Sequence, residues 1–469
     1  MRNLALITAS VCLCACSVGP SFTPPAAELP SSWAASAETG ETPLPPDRTW
    51  WRDLGDAQLA ALVERACAAN LDVASASNRV AQSRTLLQVS GAEQLPGLAA
   101  NGSYQRERSS AEGLNDPSGR NGRAPYELWS ASLDASWEID LWGRVRRQME
   151  AAHAQLDLTR AERDGVLLSV AAETASDYLR LRGVQAQLAV TRQNLDIARK
   201  SLALTRTRFD NGVTTHLDVA NAAAQVATVE ARLAPLQAQQ ARWANALSFL
   251  LGQAPGSLAG ELSGSKPVPP PRDDVPLGLP SQLARQRPDI LRSEAALHRA
   301  TATVGMAQAD FYPRISLGAS AGFQALDGSE LGGWGTRGWA YGPRLYVPIF
   351  QGGRLTGTLA LREQQQQAAA IDYQRTVLGA WHEVANALSD YAAEQRHYRA
   401  LAEAVAQNQQ ALDAAGQRYR EGAIDFLNVL NVQRALLETQ SAQVASATQA
   451  ALERVKLYKA LGGGWPAGA

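Results

Sequence analysis

The alternation of apolar and polar positions divides the chain into long helical stretches and short extended ones. Residues 143–209 and residues 353–419 each run for 67 positions without proline and are rich in Ala, Gln, Leu, Arg and Glu. At about 1.5 Å per residue, each stretch predicts a helix of roughly 100 Å, several times the depth of an ordinary domain. Because ordinary helices have three or four turns, we expect these two to lie in a coiled-coil-like wall.

Shorter helical patterns accompany each long one. They cover residues 56–69, 71–93 and 214–251 in the first half of the chain, and residues 289–310 and 424–461 in the second. Segments 71–93 and 214–251 together nearly match the length of a long helix, so we expect them to stack end to end along it. Their Ala- and Gln-rich seams suit a wall around a water-filled tube, and a solid coiled-coil stalk is the alternative.

Four segments switch to a period of two, namely residues 98–105, 127–141, 314–324 and 339–349. Their length and alternation are typical of transmembrane barrel strands, which have a lipid face and a watery face; an ordinary sandwich face is the alternative. Five aromatic residues are candidates for girdles at the membrane interfaces: Trp129, Trp137, Trp339, Tyr341 and Tyr346. Lipid does not tolerate an open sheet edge, so four strands predict a barrel shared between chains in a closed oligomer of unspecified copy number.

The second half of the chain repeats the first. The segment RFDNGVTTHLDV aligns with RYREGAIDFLNV at a shift of 210 positions, which matches Phe209 with Tyr419 and Gly212 with Gly422. Upstream, LDV at 71–73 matches PDI at 288–290 at a shift of 217, so one loop between residues 96 and 143 is shorter in the second copy. The chain is therefore a tandem duplication of a unit of roughly 180 residues. Gly212 and Gly422 each predict a left-handed turn at the tip of a helical hairpin.

Composition and motifs argue against several classes of function. The net charge of −1 gives no electrostatic case for a nucleic-acid partner. Cys67 is the only cysteine after residue 16, and the five histidines lack metal-ligand spacing, so we expect no disulfide framework, no metal site and no cofactor. A formal G-x-G-x-x-G at residues 333–338 lies between two predicted strands and opens no helix, so it is not a dinucleotide site.

The first 16 residues predict a lipoprotein signal. A short apolar run ends in Leu-Cys-Ala-Cys at residues 13–16, which resembles a bacterial lipobox with Cys16 as the lipidated residue. Two kinds of acyl group on one cysteine would hold the chain stably on a membrane, and Ser17 after it favours the outer membrane. A plain signal peptide with incidental cysteines is the alternative.

Together these features resemble the TolC superfamily of outer-membrane efflux ducts, in its OprM/NodT lipoprotein branch. The resemblance rests on CSVGP at 16–20, on WW at 50–51 with LGD at 54–56, on FYP at 311–313, on PIFQGGR at 348–354 and on both tip motifs. It implies a mainly α fold with a membrane β-barrel part: a homotrimer with a 12-strand outer-membrane barrel and a periplasmic helical barrel. It also implies docking onto a periplasmic membrane-fusion adaptor and an inner-membrane resistance–nodulation–division pump.

The resemblance further implies a domain plan. The segments are a signal peptide at 1–15, a lipidated tether at 16–55, a first efflux repeat at 56–262, a Pro-rich linker at 263–280, a second repeat at 281–462 and a tail at 463–469.

Site residues follow from the same resemblance. Adaptor docking would use the two tips, at Gly212, Val213, Thr214, Leu217, Gly422, Ala423, Ile424 and Leu427. Asp218 and Tyr419 fall on positions that hold the periplasmic entrance closed in relatives. Ile424 replaces a basic partner found in TolC, so we expect a different closing network, with Asp210, Glu421 and Asp425 as candidate members.

Three functions remain to be weighed. A passive, gated export duct without catalysis explains both the long helices and the strands, and small-molecule export is favoured over protein secretion by analogy with the lipoprotein branch. A structural coiled-coil envelope lipoprotein explains the helices alone. A lipid-anchored enzyme is the third alternative, but the sequence offers no nucleophile–base pair, no metal-ligand spacing and no phosphate loop to support it.

Overall fold

A computed structural model describes residues 17–25, 40–42, 49–112, 118–119, 122, 124–269, 274–276 and 286–463. Cys16 and the signal sequence lie outside these residues. The chain divides into two compact units. Unit 1 contains Met1–Pro25, Val80–Thr159 and Ser293–Tyr373, and unit 2 contains Ala26–Arg79, Arg160–Arg292 and Gln374–Ala469.

Long helices dominate the described residues, as the sequence predicts. The helices are α1 (Ala57–Ala69), α2 (Leu71–Ala92), α3 (Arg144–Asp210), α4 (His216–Ala231), α5 (Leu233–Leu250), α6 (Pro288–Ala309), α7 (Arg354–Arg420) and α8 (Phe426–Ala460). The two 67-residue helices α3 and α7 begin and end within one residue of the predicted bounds. None of the helices described combines the length and the apolar character that a bilayer-spanning helix needs.

The prediction of one continuous helix over residues 214–251 is wrong. Residues 214–251 form two helices, α4 and α5, which are separated by a turn at Arg232. Pro235 lies in the first turn of α5, and a proline both lacks an N–H and clashes with the carbonyl four residues earlier. The corresponding position of the second repeat is Ala445, and α8 runs through it without a break.

Stacking of short helices occurs in both repeats within unit 2. The Asn70 side chain accepts hydrogen bonds from the amides of Asp72 and Val73 at the start of α2, and its Nδ2 donates to the carbonyl of Leu250 at the end of α5 (3.0 Å). In the second repeat, Arg287 donates to the carbonyl of Ala460 at the end of α8 (2.5 Å). One side chain in each repeat therefore joins the C-terminus of one helix to the N-terminus of another, α5 to α2 in the first repeat and α8 to α6 in the second.

The core of unit 2 explains the paired tryptophans near the N-terminus. Trp50 and Trp51 lie in a 3₁₀ turn and are buried, and Trp50 stacks on Tyr458 at 5.3 Å. Asp56 caps α1 by accepting from the amides of Gln58 and Leu59. The tryptophans are thus packing residues. Nearby in sequence, strand β1 (Gly40–Thr42) pairs in parallel with β4 (Asp274–Pro276) of the Pro-rich linker.

The other four strands form one antiparallel sheet in unit 1. They are β2 (Gly97–Glu107), β3 (Tyr126–Ile139), β5 (Arg314–Ala325) and β6 (Arg337–Tyr346), in the order β2-β3-β5-β6. Each repeat contributes one hairpin, and β3 pairs with β5 to join them. The outer edges of β2 and β6 carry no partner strand among the described residues.

Candidate functional site

The two helical hairpins of unit 2 turn through the same backbone motif. At the end of α3, the amide of Gly212 donates to the carbonyl of Phe209 and that of Val213 to Arg208, at 2.9 and 2.8 Å. At the end of α7, Gly422 and Ala423 repeat these bonds one repeat later, to Tyr419 and Arg418. Both glycines have a positive φ, of 75° and 78°, which side chains rarely adopt. The tip glycines therefore form Schellman turns, as predicted.

The first tip is closed by a capping box at the start of α4. The Thr215 hydroxyl oxygen accepts a hydrogen bond from the amide of Asp218. The Asp218 carboxylate in turn accepts hydrogen bonds from the amide and the hydroxyl of Thr215. Thr214 adds a third donor, its hydroxyl lying 2.5 Å from the same carboxylate oxygen. These bonds, that of Thr214 foremost, hold the pKa of Asp218 below its ordinary value. Asp218 therefore orders its own turn.

The second tip is built on a buried aromatic pair instead. Tyr419 and Phe426 lie with ring centroids 5.7 Å apart and are only 4% and 2% exposed. They belong to an apolar cluster with Val429, Leu430 and neighbouring residues. Asp425 occupies the N-cap of α8, but its side chain makes no capping hydrogen bond. Apolar packing rather than a polar cap fixes this turn.

Arg208 joins the two hairpins. Its guanidinium carbon lies 4.7 Å from the centroid of the Tyr419 ring, and its Nη1 donates to the carbonyls of Tyr419 (3.0 Å) and Arg420 (3.3 Å). A cation that stacks on an aromatic ring and caps the C-terminal carbonyls of a helix stabilises that helix end in two ways. The Thr205 hydroxyl lies 3.5 Å from the Tyr419 hydroxyl. Arg208 and Tyr419 thus connect the end of α3 to the end of α7.

The residues predicted for docking differ in their exposure. Val213, Leu217 and Leu427 are 61%, 67% and 55% exposed, which leaves apolar side chains of both tips facing solvent in the single chain. Ile424 is partly buried and packs against the Tyr419–Phe426 cluster. The remaining predicted docking residues are Gly212, Thr214, Gly422 and Ala423, of which Thr214 is partly buried and the others are exposed.

The candidate gate residues are not all in one network. Glu421, the residue after α7, accepts a hydrogen bond from Gln417 in the last turn of that helix, and Asp210 and Asp425 are exposed at the two tips. Sequence reasoning missed Arg208, the cation that contacts Tyr419. Arg208 lies in the last turn of a long helix, where cations are favoured, but the sequence pattern does not show that this turn meets Tyr419.

The sheet of unit 1 has one apolar and one polar face. Residues directly opposite each other share a face, and the register places Leu133 beside Ala100 and Ala321 on the apolar side. Trp339 and Tyr341 of this face are 72% and 77% exposed. Four of the five proposed girdle aromatics lie here, at Trp129, Trp137, Trp339 and Tyr341. The expectation for Tyr346 is wrong, because Tyr346 pairs with Arg314 on the polar face and its hydroxyl accepts a hydrogen bond from Gln351.

The segment after Cys16 is held at the base of this sheet. The amide of Val18 donates to the carbonyl of Trp142 (3.0 Å), three residues after β3 ends. Arg147 donates to the carbonyls of Val18 (3.4 Å) and Gly19 (3.2 Å). The Phe22 ring stacks on His298, whose Nε2 is hydrogen-bonded to the Glu150 carboxylate at 2.9 Å. Within the described residues, no group of His, Cys, Asp or Glu has the arrangement of a metal site.

Comparison with known proteins adds independent information. The profile described as "Outer membrane efflux protein" matches residues 62–253 and 279–463. The chain is 31% identical to outer membrane protein OprJ of Pseudomonas aeruginosa, over 99% of this chain and 96% of OprJ. It is 31% identical to nodulation protein T of Rhizobium leguminosarum bv. trifolii, over 96% of this chain and 94% of that protein. The solved outer-membrane channel OprN superposes with a TM-score of 0.89 at 32% identity, covering 96% of this chain and all of the other. The chain therefore belongs to the outer membrane efflux protein family.

Proposed function

We propose that three copies of the chain form the outer-membrane exit duct of a tripartite efflux system. The observation that carries this proposal is the four-stranded sheet, which has an exposed apolar face, a polar face and two edges that pair with no other described strand. Unpaired backbone groups cost several kcal/mol each in lipid, so the edges of β2 and β6 need neighbours. Three copies would supply twelve strands with β6 of one copy beside β2 of the next.

The native mass of the detergent-extracted protein tests the shared barrel. After correction for bound detergent, the proposal predicts the mass of three chains. A single-chain mass for the unaltered protein would contradict the proposal.

The transported molecules would be small and would pass without catalysis by the duct, with energy supplied by an inner-membrane pump through a periplasmic adaptor. The names of relatives support small-molecule export, since they include a solvent efflux pump outer membrane protein of Pseudomonas putida. This activity can be measured as the accumulation of a fluorescent dye in a host that lacks its own outer-membrane efflux duct. Accumulation is compared with and without the chain and a co-expressed adaptor and pump.

The periplasmic gate would lie at the tips, where Arg208 and Tyr419 link the two hairpins. We include the sequence candidates Asp210, Asp218, Glu421 and Asp425 as further members. If the duct opens by parting these hairpins, loss of a link should raise the conductance of the isolated duct. Arg208→Ala, Asp218→Ala and Asp425→Ala are expected to do so, whereas Arg418→Ala, at the corresponding but exposed position of the second tip, should not. Unchanged conductance in the first three variants would contradict the gate.

The exposed apolar residues of the tips would receive the adaptor. A photo-crosslinking residue at Leu217 or Leu427 is expected to capture the adaptor in cells. The same residue at Leu71, which is 72% exposed but lies away from both tips in sequence, is the control. Equal capture at Leu71 would argue against specific docking.

Lipidation at Cys16 would follow removal of residues 1–15, with residues 16–55 as the tether of the domain plan. The support is the position of Ser17–Gly19 against Trp142 and Arg147, just beyond the end of β3. Such a position would put an acyl chain at the edge of the membrane sheet. Labelled palmitate should enter the unaltered protein and the Cys14→Ser variant but not Cys16→Ser.

A further inference from the structure

The polar face of the sheet carries its charges at the ends and at one point between them. Its positions are mostly Ser, Gly, Ala, Asn and Gln, and the charged side chains within its strands are Glu107, Asp134, Glu138, Arg314 and Arg344. Glu107 lies at the loop end of β2, and the last three lie at the opposite, helix-side end of the sheet. Asp134 alone lies in the middle of the face.

The charges at the helix side are largely paired. Arg144 donates to both carboxylate oxygens of Glu138, at 2.9 and 3.0 Å. Arg314 forms an ion pair with Asp310 at 2.5 Å. Arg344 lies in the same cross-strand row as Glu138, with Ser316 between them, and has no ion pair among the described residues. Arg144 is shared between Glu138 and Glu93 (3.6 Å), whereas no carboxylate among the described residues neutralises Arg344 directly.

Asp134 presents an uncompensated negative charge. Its carboxylate accepts from Asn101 Nδ2 and from the Ser132 hydroxyl, each at 2.7 Å, and from Ser320. All three partners are neutral, so they fix the carboxylate without cancelling its charge. No cation pairs with Asp134 among the described residues. The hydrogen bonds hold the group against the sheet surface and leave its field directed into the space that the polar face lines.

The two charges are far enough apart to act separately. Asp134 lies four residues from the row of Glu138 and Arg344, which is about 13 Å along the strands. The Debye length is ~10 Å at 0.1 M salt, so each charge sets the potential at its own level. Low-dielectric walls focus such fields, and rings of carboxylates favour cations in pores.

We infer that Asp134 makes the middle of the barrel prefer cations over anions, and that Arg344 opposes this preference at the helix-side end. This inference rests on the proposed three-copy duct, in which each residue would occur three times at one level. The permeant class that Asp134 favours is small cations and cationic solutes. The residue acts through its charge and needs no contact with a particular transported molecule.

Reversal potentials in planar bilayers test the inference, with KCl at about 0.1 M on one side and about 0.01 M on the other. Asp134→Asn keeps an acceptor for Asn101 and removes the charge. It should lower the ratio of K⁺ to Cl⁻ permeability by about twofold or more, as expected for loss of a potential of order kT or above. Arg344→Gln should raise the same ratio. Opposite shifts from two substitutions on one face would not arise from a general loosening of the sheet.

Glu127→Gln is the matched control. Glu127 lies on the same strand as Asp134 but on the apolar face, beside Arg106. Its loss should leave the ratio unchanged. The inference is overturned if Asp134→Asn channels of normal mass and conductance keep the original ratio, or if Glu127→Gln shifts it equally. Absence of any conductance from the unaltered protein would instead count against the proposed duct.

Discussion

The two hairpin tips use the same turn and are stabilised by different chemistry. Phe209 and His216 of the first tip lie 6.0 Å apart, and Tyr419 and Phe426 at the corresponding positions of the second lie 5.7 Å apart. The first pair is exposed and the second is buried. A capping box secures the first turn, whereas an apolar cluster secures the second. The duplicated backbone has therefore been kept while one tip came to depend on packing and the other on hydrogen bonds.

The same contrast occurs where the short helices stack. Neutral Asn70 both caps α2 and bonds the end of α5. In the second repeat, Arg287 donates a hydrogen bond to the carbonyl at the end of α8, and it also forms ion pairs with Asp289 and Glu383 at 2.8 and 2.7 Å. An identical joint can thus be made by one amide or by an ionic cluster. The comparison predicts different responses to equivalent substitutions.

The largest difference is expected at the aromatic pairs. Phe426→Ala removes a side chain that is 2% exposed and should lower the local free energy of unfolding by about 3–5 kcal/mol, as large-to-small core substitutions do. His216→Ala, its exposed counterpart, should change it by no more than about 0.5 kcal/mol. Hydrogen exchange of the tip amides measures both. Equal effects would mean that the tips do not differ in packing.

Helix continuity gives the next largest effect. Ala445→Pro places in α8 the proline that interrupts the first repeat at Pro235, and it should cost about 3 kcal/mol or more through the lost N–H and the clash with residue 441. Pro235→Ala should change stability by about 1 kcal/mol or less, since the turn at Arg232 already accommodates the proline. Thermal unfolding of the two variants compares them. A cost for Pro235→Ala as large as that for Ala445→Pro would contradict the account of the break.

The stacking joints should differ by a smaller amount. Arg287→Ala leaves two carboxylates without their cation, but these are 43% and 45% exposed, so the cost should be about 2 kcal/mol rather than that of a fully buried pair. Asn70→Ala removes one cap and one helix-joining bond and should cost about 1 kcal/mol. Denaturant unfolding followed near Trp243 or Trp381 would report the difference, and a larger cost for Asn70 would reverse our comparison.

The smallest effect is at the polar caps. Asp218→Ala should destabilise the first tip by about 1 kcal/mol, whereas Asp425→Ala, which removes no capping bond, should cost less than about 0.5 kcal/mol. The Asp218 pKa is lowered by folding, so its contribution is present above the ordinary value of 3.8 and is lost as the pH falls through the folded value. Hydrogen exchange of the α4 amides at neutral and acid pH should show the Asp218→Ala difference disappear in acid. A difference that persists there would point to packing.

Much of this architecture could be predicted from the sequence, because periodicity and the repeat determine it. The long helices, the four strands and the glycine turns follow from local patterns, and the polar and apolar faces follow from alternation. Tyr346 was misassigned although alternation alone puts it, five positions after Tyr341, on the opposite face. The break at Arg232 was signalled by Pro235, which lies within the helical pattern of residues 214–251. Arg208 depends on the approach of two helix ends that are more than 200 residues apart, which no local pattern encodes.

Single-channel recording of the purified protein in a planar bilayer is the sharpest test of the gated duct. We expect discrete conductance steps from a three-chain species, small in the unaltered protein and larger in Arg208→Ala, with Arg418→Ala unchanged. A folded protein of three-chain mass that gave no steps, in the unaltered form and in Arg208→Ala alike, would contradict the claim that this chain forms a gated duct.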